Sequence, residues 1–253
     1  MASHIMETMD DVEKFIKIIK ESDNIVFFGG AGVSTESGIP DFRGTGGLYH
    51  EQYDYPPETI LSAGFFWNYP KEFFRFYKDK MLFTSARPNL THFALARLEQ
   101  AGKLKAVITQ NIDNLHEQAG SKAVYHLHGT IHSNTCTSCQ KKYGISAIEE
   151  ADGLPVCSCG GLIKPDVVLY GEQLPEREVE KSIEAIERAD VLIVGGTSLT
   201  VYPAAAYVEY FKGKHLILIN KDATVLDKKA ELVFHEKLGD VFKDLLDEQG
   251  NLR

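Results

Sequence analysis

The chain is 253 residues long, with 36 acidic against 27 basic side chains and a formal charge of −9. That length can bury a sizeable core in one large domain or two, and the acidic balance argues against nonspecific attraction to nucleic acid or an anionic membrane. No run approaches the ~20 apolar residues of a membrane span, and no charged-then-apolar leader opens the chain, so no membrane partner and a cytoplasmic location are expected. Met1 to Met6 reads more like a cloning remnant than a targeting signal.

Val12, Phe15, Ile16 and Ile19 recur at helical spacing, which predicts an amphipathic helix from about Asp10 to Glu21. Ile25-Val26-Phe27-Phe28 is too short for a buried helix and rich in strand formers. It breaks into Gly29-Gly30-Ala31-Gly32, a turn of the kind that doubly wound α/β domains use to present backbone N–H groups to a diphosphate. Thr35 stands where the third glycine of the dinucleotide fingerprint is expected, and no acidic residue closes a second strand about 20 residues later. As a pattern, this half fingerprint is matched equally well by a glycine turn that packs a helix on a strand. From Gly44 to Arg87 the α/β rhythm stops. Pro56-Pro57 and Pro70 are placed to start short helices, and Phe65, Phe66, Phe73, Phe74 and Phe76 to form the core of a helical insert.

The rhythm returns at Pro88 with a helix through Ala94 and Leu98, then a buried strand over 105–109. The polar run Gln110-Asn111-Ile112-Asp113-Asn114 falls at that strand's carboxyl end, where open α/β sheets bind ligands. Val124 to Gly129 reads as a strand ending in His128, with His126 on the same face. The pattern continues as a strand and loop from Val167 to Glu172, a helix from Pro175 to Ala189 and a strand at Val191–Val194 that runs into Gly195-Gly196-Thr197-Ser198. A helix follows near Pro203, then a strand at His215–Ile219 ending in Asn220, and a last helix over about 239–248. Strands separated by helices predict a mostly parallel sheet covered on both faces.

All four cysteines, Cys136, Cys139, Cys157 and Cys159, lie in one short window as C-x-x-C followed by C-x-C. Four thiolates with no cysteine elsewhere suit one closed tetrahedral zinc site, which is structural rather than catalytic, over a redox dithiol or two disulfides. The metal is expected to hold the segment near 132–163 folded.

Taken together, Gly30-Ala31-Gly32-Val33-Ser34, Gly38-Ile39-Pro40-Asp41-Phe42-Arg43, Thr109 to Asp113, Leu127-His128-Gly129, the four cysteines, Gly196-Thr197-Ser198 and Asn220 resemble the sirtuins, NAD-dependent protein deacylases, in a bacterial or archaeal-like form. The resemblance spans nearly the whole chain. It implies a Rossmann-like NAD-binding domain made of residues 7–44, 88–131 and 164–253. The helical insert 45–87 and the zinc ribbon 132–163 would form a small domain, with substrates in the cleft between the two. By position it assigns NAD contacts to Ala31, Thr35, Phe42, Arg43, Gln110, Thr197, Ser198 and Asn220, with Tyr49 in a mobile cofactor loop and a further contact near Leu238. Ile112 and Asp113 would hold the nicotinamide amide, Asn111 would order the ribose or a water, and Val168, Tyr170, Gly171 and Val201 would line the acyl-lysine tunnel.

The chemistry so implied consumes NAD as a co-substrate. Nicotinamide leaves, acyl-lysine attacks the ribose, and His128 acts as general base on a ribose hydroxyl that takes up the acyl group, releasing free lysine and O-acyl-ADP-ribose. Imidazole suits that role because its ordinary pKa lies near neutral pH. Acyl-lysine proteins or peptides are then the partners, and nicotinamide is product and inhibitor. Members of the family that remove succinyl or malonyl groups resemble one another in a Tyr-x-x-Arg in the helical insert; Tyr77-Lys78-Asp79-Lys80 keeps the tyrosine with a lysine in place of the arginine, a point charge rather than a planar fork. An exposed helix face is the plainer reading, so acetyl-lysine is the expected substrate. Alternatives are an NAD-dependent protein ADP-ribosyltransferase, a desuccinylase or demalonylase, and a non-catalytic nucleotide-sensing or zinc-ribbon module. A dehydrogenase is disfavoured by the missing ribose carboxylate.

Overall fold

A computed structural model describes residues 10–41 and 54–253. Helix α1 (Asp11–Glu21) starts where its cap dictates: the Asp10 carboxylate accepts the Glu13 N–H at 2.7 Å, and the Glu13 carboxylate accepts the Asp10 N–H at 3.3 Å. Strand β1 (Ile25–Gly29) follows, then a helical insert of α2 (Pro57–Ile60), α3 (Ala63–Asn68) and α4 (Pro70–Lys80), two of them opened by the expected prolines. After α5 (Leu90–Gln100) come β2 (Leu104–Thr109), α6 (Leu115–Ala119) and β3 (Val124–His126). The next stretch carries β4 (Gly129–Cys136), β5 (Lys142–Tyr143), α7 (Ser146–Glu149) and β6 (Ile163–Val167). The chain closes with α8 (Glu176–Arg188), β7 (Val191–Gly195), β8 (His215–Ile219), β9 (Leu232–Phe234) and α9 (Leu238–Phe242).

Six strands form a sheet in the order β3-β2-β1-β7-β8-β9, every neighbouring pair parallel. Successive side chains of a strand point to opposite faces. Ile25 and Phe27 therefore enter a core with Phe15 of α1, Leu95 of α5 and Phe242 of α9, while Val26 and Phe28 enter another with Ile186 of α8 and Val208. Both faces are covered, as the sequence pattern requires. The strand order reverses direction between β1 and β7, and the crevice at such a switch point is where doubly wound sheets bind ligands.

A second sheet, β5-β4-β6, is antiparallel. It packs on the aromatic residues of the insert, with Phe66, Phe73, Phe74 and Tyr77 sharing one buried cluster with Ile131, Cys136 and Ile163. The architecture is α/β: a Rossmann-like parallel sheet with a smaller region built from the helical insert and the cysteine-bearing ribbon. No helix among the described residues is long and apolar enough to cross a membrane.

Four local expectations need correction. The strand expected to end at His128 stops at His126, and His128 lies in the turn before β4, with Gly129 at φ +73°. The strand expected around Val167 is β6, which joins the antiparallel sheet; Pro165, lacking an N–H, is tolerated because β6 is an edge strand. The helix near Pro203 is a 3₁₀ segment, Ala204–Tyr210. The last helix, expected to reach about residue 248, ends at Phe242 and continues as a 3₁₀ turn to Leu245, because the Asp247 carboxylate draws the Gln249 and Asn251 N–H groups into a competing turn.

Candidate active site

The crevice begins where β1 and β7 release their chains side by side. The Gly32 N–H donates to the Gly196 carbonyl at 2.8 Å, and the Gly30 N–H to the Gly195 carbonyl at 3.2 Å. A Cβ on Gly32 would sit 2.7 Å from the Gly196 Cα, and one on Gly30 would sit 2.8 Å from the Thr197 Cβ. Only glycine allows the two turns to interlock at this distance. Ala31 and Thr35 line the crevice on one side and Thr197 and Ser198 on the other, with Asn220 from the end of β8 and Leu238 from α9 beside them. Gln110, at the end of β2, bridges the two sides by donating from Nε2 to the Thr197 Oγ1 at 3.0 Å.

Beyond Gln110 a chain of hydrogen bonds crosses the floor. Asn111 Nδ2 donates to Ser34 Oγ at 3.0 Å, and Ser34 Oγ donates to Asp113 Oδ2 at 2.8 Å. The other Asp113 oxygen accepts the Leu115 N–H at 3.0 Å. Burial raises the Asp113 pKa above the ordinary carboxylate value, and the Leu115 and Ser34 hydrogen bonds oppose that rise. Ile112 lines the same floor.

His128 reaches the crevice from the turn between the two sheets. Its Nδ1 lies 2.9 Å from the Gln110 carbonyl oxygen. A carbonyl only accepts, so Nδ1 carries the proton and Nε2 is the basic nitrogen of the neutral ring. Burial lowers the pKa below the ordinary histidine value, partly offset by the bond to Gln110. The imidazole is therefore a neutral base at physiological pH.

The opposite wall belongs to the smaller region. Val168, Tyr170 and Gly171 line the cavity together with Val201, and the whole open crevice has a volume of about 420 Å³. Tyr170 is held by backbone bonds to the insert: its N–H donates to the Leu61 carbonyl at 2.9 Å, and its carbonyl accepts the Ala63 N–H at 3.0 Å. Helix α4 has an exposed face, formed by Lys71, Glu72, Arg75 and Asp79, but Tyr77 and Lys80 do not lie on it. Tyr77 is fully buried with a hydroxyl that has no hydrogen-bond partner among the described residues, and Lys80 lines the cavity. Every described residue expected at the site thus reaches one crevice; Phe42, Arg43 and Tyr49 lie outside the described residues.

The four cysteines converge at one end of the antiparallel sheet. Their sulfurs lie within 4.8 Å of one another and all four are free thiols. The Ser138 and Cys139 N–H groups point at Cys136 Sγ at 3.4 and 3.5 Å, and the Tyr143 hydroxyl donates to Cys157 Sγ at 2.9 Å. Gly161 leaves room for the sulfur, since a Cβ there would lie 2.7 Å from Cys136 Sγ. An all-sulfur set with donors aimed at the sulfurs fits one zinc ion, and four protein ligands close its coordination shell.

Two features of the site escape a reading of isolated residues. Ser34 is buried inside the glycine motif and joins Asn111 to Asp113, a role visible only once β1 and β2 are side by side. Lys80 turns inward because its neighbour Tyr77 anchors α4 in the aromatic cluster. A signal for Lys80 was present in its i+3 spacing from Tyr77.

The Sir2 family profile matches residues 30–203. An NAD-dependent protein deacetylase of Clostridium acetobutylicum is 52% identical over 245 residues, covering 95% of this chain and 100% of that protein. Its counterpart in Clostridium perfringens is 53% identical over 94% of this chain and 100% of its own length. Among solved structures, a Sir2 variant with a deacetylated p53 peptide and 3'-O-acetyl ADP-ribose superposes with a TM-score of 0.86 at 38% identity, covering 96% of this chain and 99% of that one. A Sir2 homologue variant in complex with ADP-ribose gives a TM-score of 0.85 at 41% identity, over 93% of this chain and 94% of the other. With a profile over most of the chain and relatives at half identity across nearly all of it, the chain belongs to the Sir2 family.

Proposed function

We propose that the protein is an NAD-dependent protein-lysine deacetylase that releases nicotinamide, O-acetyl-ADP-ribose and free lysine. The observation that carries this reading is His128: a neutral imidazole, its tautomer set by the Gln110 carbonyl, on the wall of a crevice whose floor is the Asn111–Ser34–Asp113 chain. NAD bound there supplies a glycosidic carbon with a good leaving group. The residues around it divide the work. The interlocked turns at Gly30–Gly32 and Gly196–Ser198, with Thr35, Gln110, Asn220 and Leu238, hold the dinucleotide. Asp113 and Ile112 hold the nicotinamide carboxamide, and Asn111 orders the ribose. Phe42 and Arg43 are NAD contacts in this reading, and Tyr49 belongs to the cofactor loop. Val168, Tyr170, Gly171 and Val201 align the acyl-lysine, and His128 Nε2 takes the proton from the ribose hydroxyl that receives the acyl group. The zinc held by Cys136, Cys139, Cys157 and Cys159 fixes the ribbon and takes no part in the chemistry.

The division into a nucleotide-binding domain and a small domain follows the same lines, with β4 and β6 kept whole in the ribbon. We infer a cytoplasmic setting, in keeping with four cysteines gathered as one metal site rather than paired as disulfides. Nicotinamide is the expected product inhibitor.

Incubation with NAD and an acetyl-lysine peptide tests the reading: nicotinamide and deacetylated peptide should appear in equal amounts. Transfer of ADP-ribose to protein without deacylation would establish the transferase alternative, and absence of both products would reject the enzyme assignment. A second acyl preference is favoured by one observation, the placement of Lys80 on the cavity wall. Comparing acetyl and succinyl peptides on Lys80→Ala decides it, since an unchanged ratio removes Lys80 from acyl selection.

A further inference from the structure

The segment that faces the acyl-lysine is a tight turn, Leu169-Tyr170-Gly171-Glu172. The Glu172 N–H donates to the Leu169 carbonyl at 2.9 Å, and Gly171 sits at φ +90°, the left-handed position that such a turn requires. The turn is closed a second time by a side chain: Glu172 Oε2 accepts the Leu169 N–H at 2.9 Å. That same oxygen accepts from Lys164 Nζ at 3.1 Å. Lys164 stands on β6, off the cavity wall. Its ammonium also donates to the Pro165 and Val167 carbonyls, each at 3.2 Å, and lies 5.9 Å from the ring centroid of Phe66 in α3. The two side chains are only 19% and 28% exposed, so their ion pair is shielded far better than the chain's surface pairs.

We infer that Lys164 is a positioning residue for the acyl-lysine, acting through Glu172 to fix the turn that lines the cavity. Three structural parts meet at its ammonium: the edge strand of the ribbon, through the Val167 carbonyl that precedes the turn, the aromatic insert, and the turn itself. The turn is also tied to the catalytic histidine, because the Val168 N–H donates to the His128 carbonyl at 2.9 Å. A turn anchored at both ends keeps the wall that receives the acyl-lysine in one conformation. With Lys164 removed, the Glu172 carboxylate is left half-buried without its cation, and it gains by swinging toward water and releasing Leu169. The loss falls on peptide binding, since none of these contacts touches the glycine turns or the Gln110–Asp113 floor.

This inference rests on the deacetylase reading, and the experiment separates the two. Steady-state kinetics on Lys164→Met, Lys164→Arg, Glu172→Gln and the double variant Lys164→Met/Glu172→Gln are compared with the unmodified enzyme. Lys164→Met should raise the peptide KM about tenfold, with the NAD KM within about twofold and kcat little changed, the pattern of lost binding rather than lost chemistry. Lys164→Arg should restore most of the affinity. Glu172→Gln keeps an acceptor for Leu169 and should cost about threefold. In the double variant no charge is left unpaired, so its peptide KM should fall at or below that of Lys164→Met instead of multiplying the two effects. If Lys164→Met does not fold, Glu172→Gln carries the same comparison. A peptide KM within about twofold of the unmodified enzyme in folded Lys164→Met, or peptide and NAD KM values rising together, overturns the inference while leaving the deacetylase reading intact. An unmodified enzyme inert toward acetyl-lysine peptide rejects the reading instead. Peptide affinity measured by calorimetry with ADP-ribose bound then decides the role of Lys164 on the same criteria.

Discussion

The parallel sheet and the smaller antiparallel sheet reach rigidity by different routes. Every residue of β1 and β7 is buried, and the sheet has a core on each face. Side chains at its carboxyl edge, from Gln110 to Asp113 and from Gly196 to Ser198, are therefore placed by a framework that needs no ligand. The ribbon has one long strand, flanked by a two-residue and a five-residue partner, and draws its order from the aromatic insert and four converging thiols. In the proposed reading, the wall that takes the nucleotide is self-supporting, whereas the wall that takes the acyl-lysine would depend on the metal and on aromatic packing. The two walls can therefore be disturbed one at a time.

His128 sits at the seam, and its replacement offers the largest effect with the least disturbance to either side. His128→Ala should cut turnover by about 10²- to 10⁴-fold, the range for a lost general base. ADP-ribose affinity and melting temperature should stay near those of the unmodified enzyme. Turnover that survives the substitution would move the base elsewhere. Because burial holds the His128 pKa below its ordinary value, the neutral base predominates at neutral pH. Activity should fall on acidification, with a midpoint below the ordinary histidine value.

Removal of the metal probes the conditional wall. A chelator, or Cys157→Ser, should loosen the ribbon and abolish measurable binding of the acetyl-lysine peptide, while ADP-ribose affinity changes by no more than about threefold. Loss of both ligands together would show that the nucleotide wall also leans on the ribbon. A matched pair of core truncations sharpens the contrast at smaller amplitude. Phe27→Ala and Phe73→Ala each remove a fully buried ring and should each cost about 3–5 kcal/mol in the region that holds it. Phe27 belongs to the parallel-sheet core and its loss should lower the main unfolding transition; loss of Phe73 should appear first as weakened peptide binding.

The contrast between the regions also governs what could be read without coordinates. The glycine turn, the polar run after β2 and the four cysteines are legible because the residue type carries the meaning: few side chains suit a close backbone approach or a thiolate cage. The parallel strands are legible because burial on both faces makes them continuous apolar runs. The ribbon is less so. β6 alternates buried Ile163, Pro165 and Val167 with partly exposed Lys164 and Asp166, but its apolar continuation through Leu169 imitates another parallel strand. Ser34 and Lys164 act through partners fixed only by tertiary contact; Ser34 meets Asp113 across 79 residues of sequence. Tyr77 shows the limit of surface reasoning, since a lysine-rich helix face still buries its tyrosine when a cluster of rings stands behind it.

The smallest predicted effect concerns acid stability, and it belongs to the self-supporting region. His92 and His116 are buried between α5 and α6 with ring centroids 4.7 Å apart. His92 Nδ1 accepts the Asn89 N–H at 3.2 Å and so completes the cap of α5. A proton on Nδ1 would displace that bond, and burial brings the His92 pKa down to about 4, against the opposing attraction of Glu117. His116 is held well below the ordinary value, again by burial first, with the charges of His92 and His126 adding to it. Between pH 6.5 and about 4 the unfolded chain therefore binds protons that the folded chain refuses. Stability is complete above the ordinary histidine pKa and declines as pH falls through that window, by up to about 1.4 kcal/mol per pH unit for each histidine. Glutamine at position 92 offers an uncharged acceptor for the Asn89 N–H and does not titrate. Urea denaturation of His92→Gln at pH 7.5 and pH 5 should find nearly unchanged stability at the higher pH and a pH dependence smaller by about one proton at the lower. An unaltered slope would assign the acid sensitivity to His116 and the carboxylates, and would remove the α5 cap from the account.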